Sequence, residues 1–478
     1  MTGSEQFANF WSLEHAPDSL AVIEAHTGLG KTYGQLRSDV ESFIGQLPAS
    51  DEKLLFLLLA QNRYECLVAY LAALKSGHAL LVVDATLSTE LLDGIVKSYH
   101  PALILSASVD APALACHKFG DTAGMWQLDD STKRAVIHPS LALLLSKSGS
   151  TGSPKFVRLT LANLQANAVS IATYLELTPS ERPITSLPMA YSYGLSVIHS
   201  HLLVGGCLVL SEHGVLRREF WDSVDNHACT SFSGVPYTYQ MLLQMGLLKK
   251  RGATLRTLTQ AGGKLSEAHV RQMHELATER GARFVVMYGQ TEATARISYL
   301  PFAELPAKAG SIGIAIPGGS MRIETTGELV YEGPNVMMGY ASGAEDLAKG
   351  DDLHGVLETG DLARQDPDGF FYITGRLQRF LKLFGRRFSL DEVEQFLQRR
   401  FDLPVACFGQ DDQLIVAIAN GGDAAAVATT LRQTFGLPGD VVSVTSMSAL
   451  PRTSNGKIDY RVLAESCAPR QAAKQVAQ

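Results

Sequence analysis

Six cysteines in 478 residues, with no C-x-x-C spacing among Cys66, Cys116, Cys207, Cys229, Cys407 and Cys467, are too few and too scattered for a disulfide framework or a structural zinc site. Long apolar runs are also missing. Runs such as Leu54 to Ala60, and the longer Cys66 to Leu74, fall far short of the ~20 residues that cross a bilayer. Met1 to Gln6 has no basic stretch leading into an apolar one, so a cytoplasmic protein with no membrane partner is expected. Positive charge is not in excess either: 41 Lys and Arg stand against 48 Asp and Glu, a net −7, which offers no general attraction to a phosphate backbone. Nucleic acid is therefore not an expected partner. No internal repeat and no low-complexity block is found.

What is present is enough apolar residue (46%) to bury a large core, in a chain long enough for about three ordinary units. Apolar runs alternate with amphipathic stretches across Leu54–Leu59, Tyr64–Leu74, Ala79–Val83, Thr89–Ser98 and Ala102–Leu105, the pattern of parallel α/β units. A second series runs from Ile184 to Met287. Gly327–Tyr340 and Gly369–Phe384, rich in Gly and aromatics, read as antiparallel hairpins. After Arg376 the pattern changes: Ser389 and Glu392 form a capping box before an apolar-periodic helix, followed by a strand (Gln413–Ala419), an Ala-rich helix (Ala424–Phe435) and a strand (Val441–Thr445). The expected class is α/β, with a large N-terminal domain of layered α/β subdomains (1–377) and a small C-terminal α+β lid (378–478).

Two loops compete as phosphate sites. Ala25-His26-Thr27-Gly28-Leu29-Gly30-Lys31-Thr32 is a permissive match to the Walker A pattern, and Leu80–Asp84 supplies an acid-terminated apolar run like Walker B. Ala25 replaces the first glycine, where backbone must approach phosphate closely, so a tight glycine turn between strands is the stronger reading. The other loop is Ser146-Lys147-Ser148-Gly149-Ser150-Thr151-Gly152-Ser153-Pro154-Lys155, which can offer backbone N–H groups, hydroxyls and a lysine to a polyphosphate. By composition alone it could equally be a flexible linker.

This second loop resembles the phosphate loop of the adenylate-forming superfamily, which includes acyl-CoA synthetases, aryl-acid ligases and nonribosomal peptide adenylation domains. Further motifs follow in the family's order. Ala261-Gly262-Gly263-Lys264-Leu265 is similar to the Gly-rich adenine-pocket strand, Tyr288-Gly289-Gln290-Thr291-Glu292 to the Y-G-x-T-E signature, and Thr359-Gly360-Asp361 to the T-G-D element. Gly375-Arg376 resembles the G-R before the hinge, and Pro451–Asp459 the loop with the catalytic lysine.

The resemblance implies an AMP-forming ligase that activates a small carboxylic acid with ATP and Mg2+, and whose acceptor is CoA or the phosphopantetheine of an acyl or peptidyl carrier protein. Ser148, Gly149, Ser150, Thr151, Gly152 and Lys155 would hold the phosphates. Thr291 would contact the α-phosphate, and Glu292 would ligate the metal. Gly262, Gly263, Tyr288 and Gly289 would form the adenine pocket, with Asp361 and Arg376 on the ribose. Lys457 would be the mobile catalytic cation, because a long-stemmed point charge can follow negative charge between oxygens. Gln378 falls at the hinge, where relatives carry Asp or Lys, and Lys382 with Gly385 on the thiol passage.

Tyr191 stands where amino-acid-activating members carry Asp, so no acid is there for an α-ammonium, which is costly to bury unpaired. An aryl or short acyl acid that is not an α-amino acid is expected, with Tyr191, Ser192 and Phe232 as pocket walls. His199 and His201 are expected to be core or surface histidines rather than a metal pair. The competing readings are a P-loop NTPase using Lys31 and Asp84, and a non-catalytic nucleotide-binding relative.

Overall fold

The computed structural model describes residues 7–467 except 109–113, 115, 120–123, 129–133, 147–154, 378, 384–385, 411–412, 436, 438–440 and 454–455. By backbone proximity the chain divides into two compact units, one of Met1–Arg322, Val330–Thr359 and Asp366–Phe371, the other of Ile323–Leu329, Gly360–Gln365 and Tyr372–Gln478.

The larger unit is organised by parallel strands whose apolar runs are covered on both faces. Leu55–Ala60 is buried along its whole length and pairs in parallel with Ala79–Asp84 and Leu103–Ser106, while Ala79–Asp84 pairs in parallel with Leu141–Ser146. Strands buried on both faces lose the polar alternation of a half-exposed strand, which is why they read as continuous hydrophobic runs. The crossovers are the helices Tyr64–Lys75 and Thr89–Tyr99. Antiparallel strands complete this eight-stranded sheet at both sides. In a second sheet, Ser231–Gly234, Thr257–Gln260 and Arg283–Tyr288 run parallel and are extended by antiparallel Ser298–Leu300 and Ile314–Ala315. Both α/β series expected from the sequence are therefore present.

The hairpin expected within Gly327–Tyr340 does not form. Gly339–Ala341 pairs antiparallel with Phe156–Thr160, and Glu328–Glu332 belongs to a different sheet. Arg158 accounts for this choice. Fully buried, it donates from Nε to the Tyr340 carbonyl (3.1 Å), from Nη1 to the Gly350 carbonyl (3.0 Å) and from Nη2 to Asp352 (2.6 Å). The guanidinium thus satisfies the Tyr340 and Met338 carbonyls, backbone acceptors that a local hairpin would have used.

The Walker reading is corrected here. A P-loop must feed directly into a helix N-terminus so that consecutive N–H groups face the phosphates. In this chain the helix Tyr33–Ile44 does follow, but its N-terminus is capped from within by Thr32, which accepts from the Gln35 amide, and Gly30–Thr32 before it is a short strand antiparallel to Leu20–Glu24, with Gly28 making the intervening turn at φ 70°. Lys31 pairs with Asp39 at 3.1 Å, and Asp84 accepts from the Thr86 amide and hydroxyl (2.8 and 2.6 Å). Lys31→Ala is expected to leave nucleotide turnover within about twofold of wild type and stability within ~1 kcal/mol, the usual worth of an exposed ion pair. A steady-state assay with a thermal melt checks it, and collapse of turnover in a folded variant would revive the NTPase reading.

His199 and His201 are both core residues. The His199 ring stacks between Phe10 and Tyr70, its Nε2 lies 2.7 Å from the Tyr70 hydroxyl, and burial pushes its pKa down to about 3. His201 Nδ1 is bonded to the Val197 carbonyl (2.7 Å).

In the smaller unit, Val405–Gln410 and Gln413–Ile418 pair antiparallel, and Val442–Ser446 joins in parallel through the crossover helix Ala424–Phe435. Alternate strand residues serve two faces. Val405, Cys407, Leu414 and Val416 pack with Val393, Leu397, Val427 and Leu431, whereas Ala406 and Ala417 pack with Leu463. Buried Glu394, on the helix Leu390–Phe401, accepts from Arg379 Nη2 (2.7 Å), the Cys407 amide (2.6 Å) and the Tyr460 hydroxyl (2.8 Å). Arg379 keeps Asp391 as a second carboxylate, but the Cys407 amide and the Tyr460 hydroxyl lose their acceptor, so Glu394→Ala is expected to destabilise this unit by about 1–3 kcal/mol. A lowered unfolding midpoint measures this; an unchanged one would mean the network contributes nothing.

Candidate active site

Parallel α/β sheets gather ligands outside the carboxyl ends of their strands, where loops are free to differ. The strands Ser231–Gly234, Thr257–Gln260 and Arg283–Tyr288 are followed by Val235, Ala261 and Gly289 respectively. Ala261–Leu265 therefore follows its strand rather than forming one, a correction to the expected adenine-pocket strand. The segment is pinned by Gln260, whose Nε2 donates to the Gly263 carbonyl at 2.9 Å. Gly262 has φ 85°, and a Cβ there would sit 2.7 Å from the Tyr191 hydroxyl. Glycine is required on both counts, and the phenol of Tyr191 seats directly against the backbone.

The third loop carries the Y-G-Q-T-E residues. Any side chain at Gly289 would strike the Ala295 carbonyl, so the loop closes tightly on itself. Gln290 Nε2 donates to the Tyr288 hydroxyl (3.2 Å) and the Thr359 carbonyl (2.8 Å). Thr291–Ala293 is a single 3-10 turn, buried, and Thr291 Oγ1 lies 3.1 Å from Ser192 Oγ. Glu292 is 6% exposed; its carbonyl accepts from the Met337 amide (2.9 Å) and its Oε1 from the Tyr340 hydroxyl (2.8 Å). Lys155 Nζ lies 4.0 Å from the centroid of the same Tyr340 ring. A cation and a carboxylate thus share one tyrosine, one over its ring and the other at its hydroxyl. Burial, with the Glu292 charge adding to it, raises the Tyr340 pKa, so the phenol stays a donor.

Among the described residues no group of three or more His, Cys, Asp or Glu side chains gathers as a metal cage. A divalent ion at Glu292 would take most of its oxygens from phosphates and water, which suits magnesium.

Ser148, Gly149, Ser150, Thr151 and Gly152 lie outside the described residues, as do Gln378 and Gly385. Lys382 falls in the strand Phe380–Leu383, opposite Arg387. Within the smaller unit, buried Asp361 pairs through Oδ1 with Nε of exposed Arg376 (3.2 Å). The Lys457 loop is closed by backbone: Thr453 N donates to the Lys457 carbonyl (2.8 Å), and Arg452 bridges Ile458. Phe232 is not brought to Tyr191 and Ser192. Its ring packs with Phe220, Trp221 and Tyr239, and strand alternation turns Ser231 and Ser233 the other way.

Two residues escaped the sequence reading. Tyr340 gave no local signal, because its role depends on pairing with a strand 180 residues earlier. Arg296 did give one, a lone charge in the otherwise uncharged run Ala293–Leu300. It is 2% exposed, with Cζ 4.1 Å from the Tyr193 ring centroid. Burial pushes the Tyr191 phenol up to about 12, with the Arg296 charge acting in the opposite direction.

A model of the AMP-binding enzyme family matches residues 10–341. The chain belongs to this family, and so to the adenylate-forming superfamily. Curated relatives include an L-proline–[L-prolyl-carrier protein] ligase of Pseudomonas fluorescens, 28% identical over 95% of this chain and 97% of its own, and a sulfoacetate–CoA ligase of Cupriavidus necator, 30% identical over 66% and 65%. Among solved structures, o-succinylbenzoate CoA synthetase from Bacillus subtilis aligns at TM-score 0.76 with its acyl-adenylate (21% identity, 98% and 99% coverage) and at 0.72 with ATP and magnesium (22%, 95% and 98%). The fold is therefore the adenylate-forming one, and none of the comparisons supports the P-loop alternative. Among the described residues no helix is long and apolar enough to cross a membrane.

Proposed function

We propose that this protein uses ATP and Mg2+ to convert a non-amino carboxylic acid into an acyl adenylate, then passes the acyl group to a thiol of CoA or of a carrier-protein phosphopantetheine. A carboxylate oxygen attacks the α-phosphorus and the bond to the bridging oxygen breaks, releasing pyrophosphate. The thiol sulfur then displaces AMP from the acyl carbon and its proton leaves to solvent. The observation that carries the reading is the buried Thr291–Glu292 turn with Lys155 and Glu292 held by Tyr340: a hydroxyl, a carboxylate and a cation at the carboxyl end of a parallel sheet, with no protein nucleophile needed.

Within that reading, Ser148, Gly149, Ser150, Thr151, Gly152 and Lys155 hold the departing phosphates, and Thr291 meets the α-phosphate. Glu292 holds magnesium, which neutralises phosphate charge. Gly262, Gly263, Tyr288 and Gly289 receive adenine, while Asp361 and Arg376 receive the ribose. Lys457 approaches the carboxylate and the bridging oxygen. The pivot between 1–377 and 378–478 is Gln378, and Lys382 and Gly385 border the thiol path.

Two features support a non-amino acid: Tyr191 in place of an aspartate, and the buried Arg296 charge, which would oppose an ammonium group. A second reading, an α-amino acid, is favoured by the proline-activating relative alone. The deciding experiment is ATP–pyrophosphate exchange over aryl, acyl, ω-anionic and amino acids, with AMP and ADP quantified. Acid-dependent exchange with AMP formation supports the proposal. ADP formation, or no exchange with any acid, overturns it, the latter leaving a non-catalytic binder.

A further inference from the structure

We propose that Arg379 and Tyr460 are positioning residues for Lys457: with Glu394 between them they fasten the pivot at Gln378 to the loop that carries the catalytic cation, so that a turn of the chain there carries the loop with it. This rests on the acid-activating reading above and adds how its mobile lysine is placed.

Arg379 is the residue after Gln378, and its side chain reaches three elements of the smaller unit. On the helix Leu390–Phe401 it meets two carboxylates, Asp391 at Nη1 and Glu394 at both Nη1 (3.2 Å) and Nη2 (2.7 Å). On the strand Val405–Gln410 its Nη2 donates to the Cys407 carbonyl (2.8 Å). On the helix Tyr460–Cys467 its Cζ lies 4.7 Å from the centroid of the Tyr460 ring. The backbone is held as well, since the Arg379 carbonyl accepts from the Leu390 amide (2.9 Å). An apolar side chain could fill the same space in several rotamers. A planar guanidinium locked by two carboxylates and a carbonyl has one orientation.

Glu394 passes the hold on. The same Oε1 that accepts from Arg379 also accepts from the Tyr460 hydroxyl (2.8 Å), and the Cys407 amide (2.6 Å) ties that oxygen to the sheet. Burial, with the Glu394 charge adding to it, raises the Tyr460 pKa, so the phenol stays a donor. Tyr460 stands three residues from Lys457, and little slack separates them. Ile458 bridges Arg452, the Asp459 amide donates to the Pro451 carbonyl (2.9 Å), and Asp459 Oδ1 accepts from the Arg461 and Val462 amides (3.1 Å each), capping the helix that Tyr460 opens. Ile458 and Tyr460 also pack against the cluster of Ala406, Ala417 and Leu463. The path from pivot to lysine is therefore short and built on charge-assisted bonds, which fix direction as well as distance. A charge-stabilising lysine needs that, because a misplacement of about 1 Å can cost about 10²-fold in rate.

The test is a double-mutant cycle in ATP–pyrophosphate exchange, run with the acid that supports the fastest wild-type exchange in the panel above. Tyr460→Phe keeps the ring against Arg379 and removes only the hydroxyl bond to Glu394. It is expected to lower kcat about 10-fold with KM for ATP and acid within about twofold, since the proposed ATP and acid contacts lie outside this network. Arg379→Lys, which keeps the charge and loses the fork, is expected to give a similar fall. In the Lys457→Ala background both substitutions are expected to cost less than about twofold, because a positioning residue then has nothing to position. Wild-type kcat in both single variants overturns the proposal. Effects that carry over undiminished onto Lys457→Ala also overturn it, since they show a purely structural role. Amide hydrogen–deuterium exchange gives a second measurement that needs no turnover. Tyr460→Phe is expected to speed deuteration of the loop amides of Thr453, Gly456 and Asp459 about 10-fold, the worth of one hydrogen bond to a charged group, while the helix Ala424–Phe435 stays protected. Unchanged protection of the loop, or loss of protection throughout the unit, refutes the clasp. If wild type exchanges pyrophosphate with no acid, the activation reading fails by itself, and loop protection still decides whether Arg379 and Tyr460 hold the Lys457 loop.

Discussion

Lys457→Ala is expected to lower acid-dependent ATP–pyrophosphate exchange by about 10²–10³-fold or more, the scale of removing one preorganised charge stabiliser at a reacting centre. No group in the proposed site acts as a nucleophile, so positioning and charge must lower the barrier, and a lysine on a closed loop is suited to follow charge from carboxylate to bridging oxygen. The folded structure should survive. Backbone bonds from Thr453 to the Lys457 carbonyl and the Arg452–Ile458 bridge close the loop, and Tyr460, three residues on, is tied to Glu394 (2.8 Å). None of these contacts needs the ammonium group. Exchange kinetics with circular-dichroism melts check the prediction; wild-type exchange in the variant would remove Lys457 from the mechanism.

Glu292→Gln should act through the metal. The substitution keeps an oxygen able to accept from the Tyr340 hydroxyl and leaves the Met337–Glu292 backbone bond untouched, so the turn is retained while the charge is lost. Magnesium takes charged oxygen ligands and keeps few protein contacts, so one carboxylate carries a large share of its protein binding. The expected result is a fall in exchange of about 10²-fold, with the magnesium titration moved to higher concentration and partial recovery at saturating magnesium. A titration curve identical to wild type would show that Glu292 does not ligate the ion. Tyr340→Phe separates the parts, since it keeps the ring under Lys155 and removes only the hydroxyl bond to Glu292.

The same contrast between local and distant causes decides what could be read from the chain alone. Leu55–Ala60 and Ala79–Asp84 were legible as parallel strands because burial on both faces writes an unbroken apolar run. The helix Ala424–Phe435 was legible to the residue from its composition and flanking strands. The order of the loop motifs carried the family, since each motif is a short stretch whose chemistry is local. Strand partners were not legible. Gly339–Ala341 looked like half of a hairpin and instead pairs with Phe156–Thr160, under the hold of Arg158. Phe232 looked like a pocket wall, yet strand alternation sends it into an aromatic cluster and turns Ser233 toward Arg296.

Residue type and spacing therefore determined the fold class, the family and the chemical groups available for acid activation, because burial periodicity and loop chemistry depend on near neighbours. Only the tertiary structure decided which groups stand together: Lys155 and Glu292 on Tyr340, Tyr191 on Gly262, and the buried Arg296 guanidinium on the Tyr193 ring. Those pairings depend on which strands meet across long stretches of chain, and on how much water each charge loses when they do.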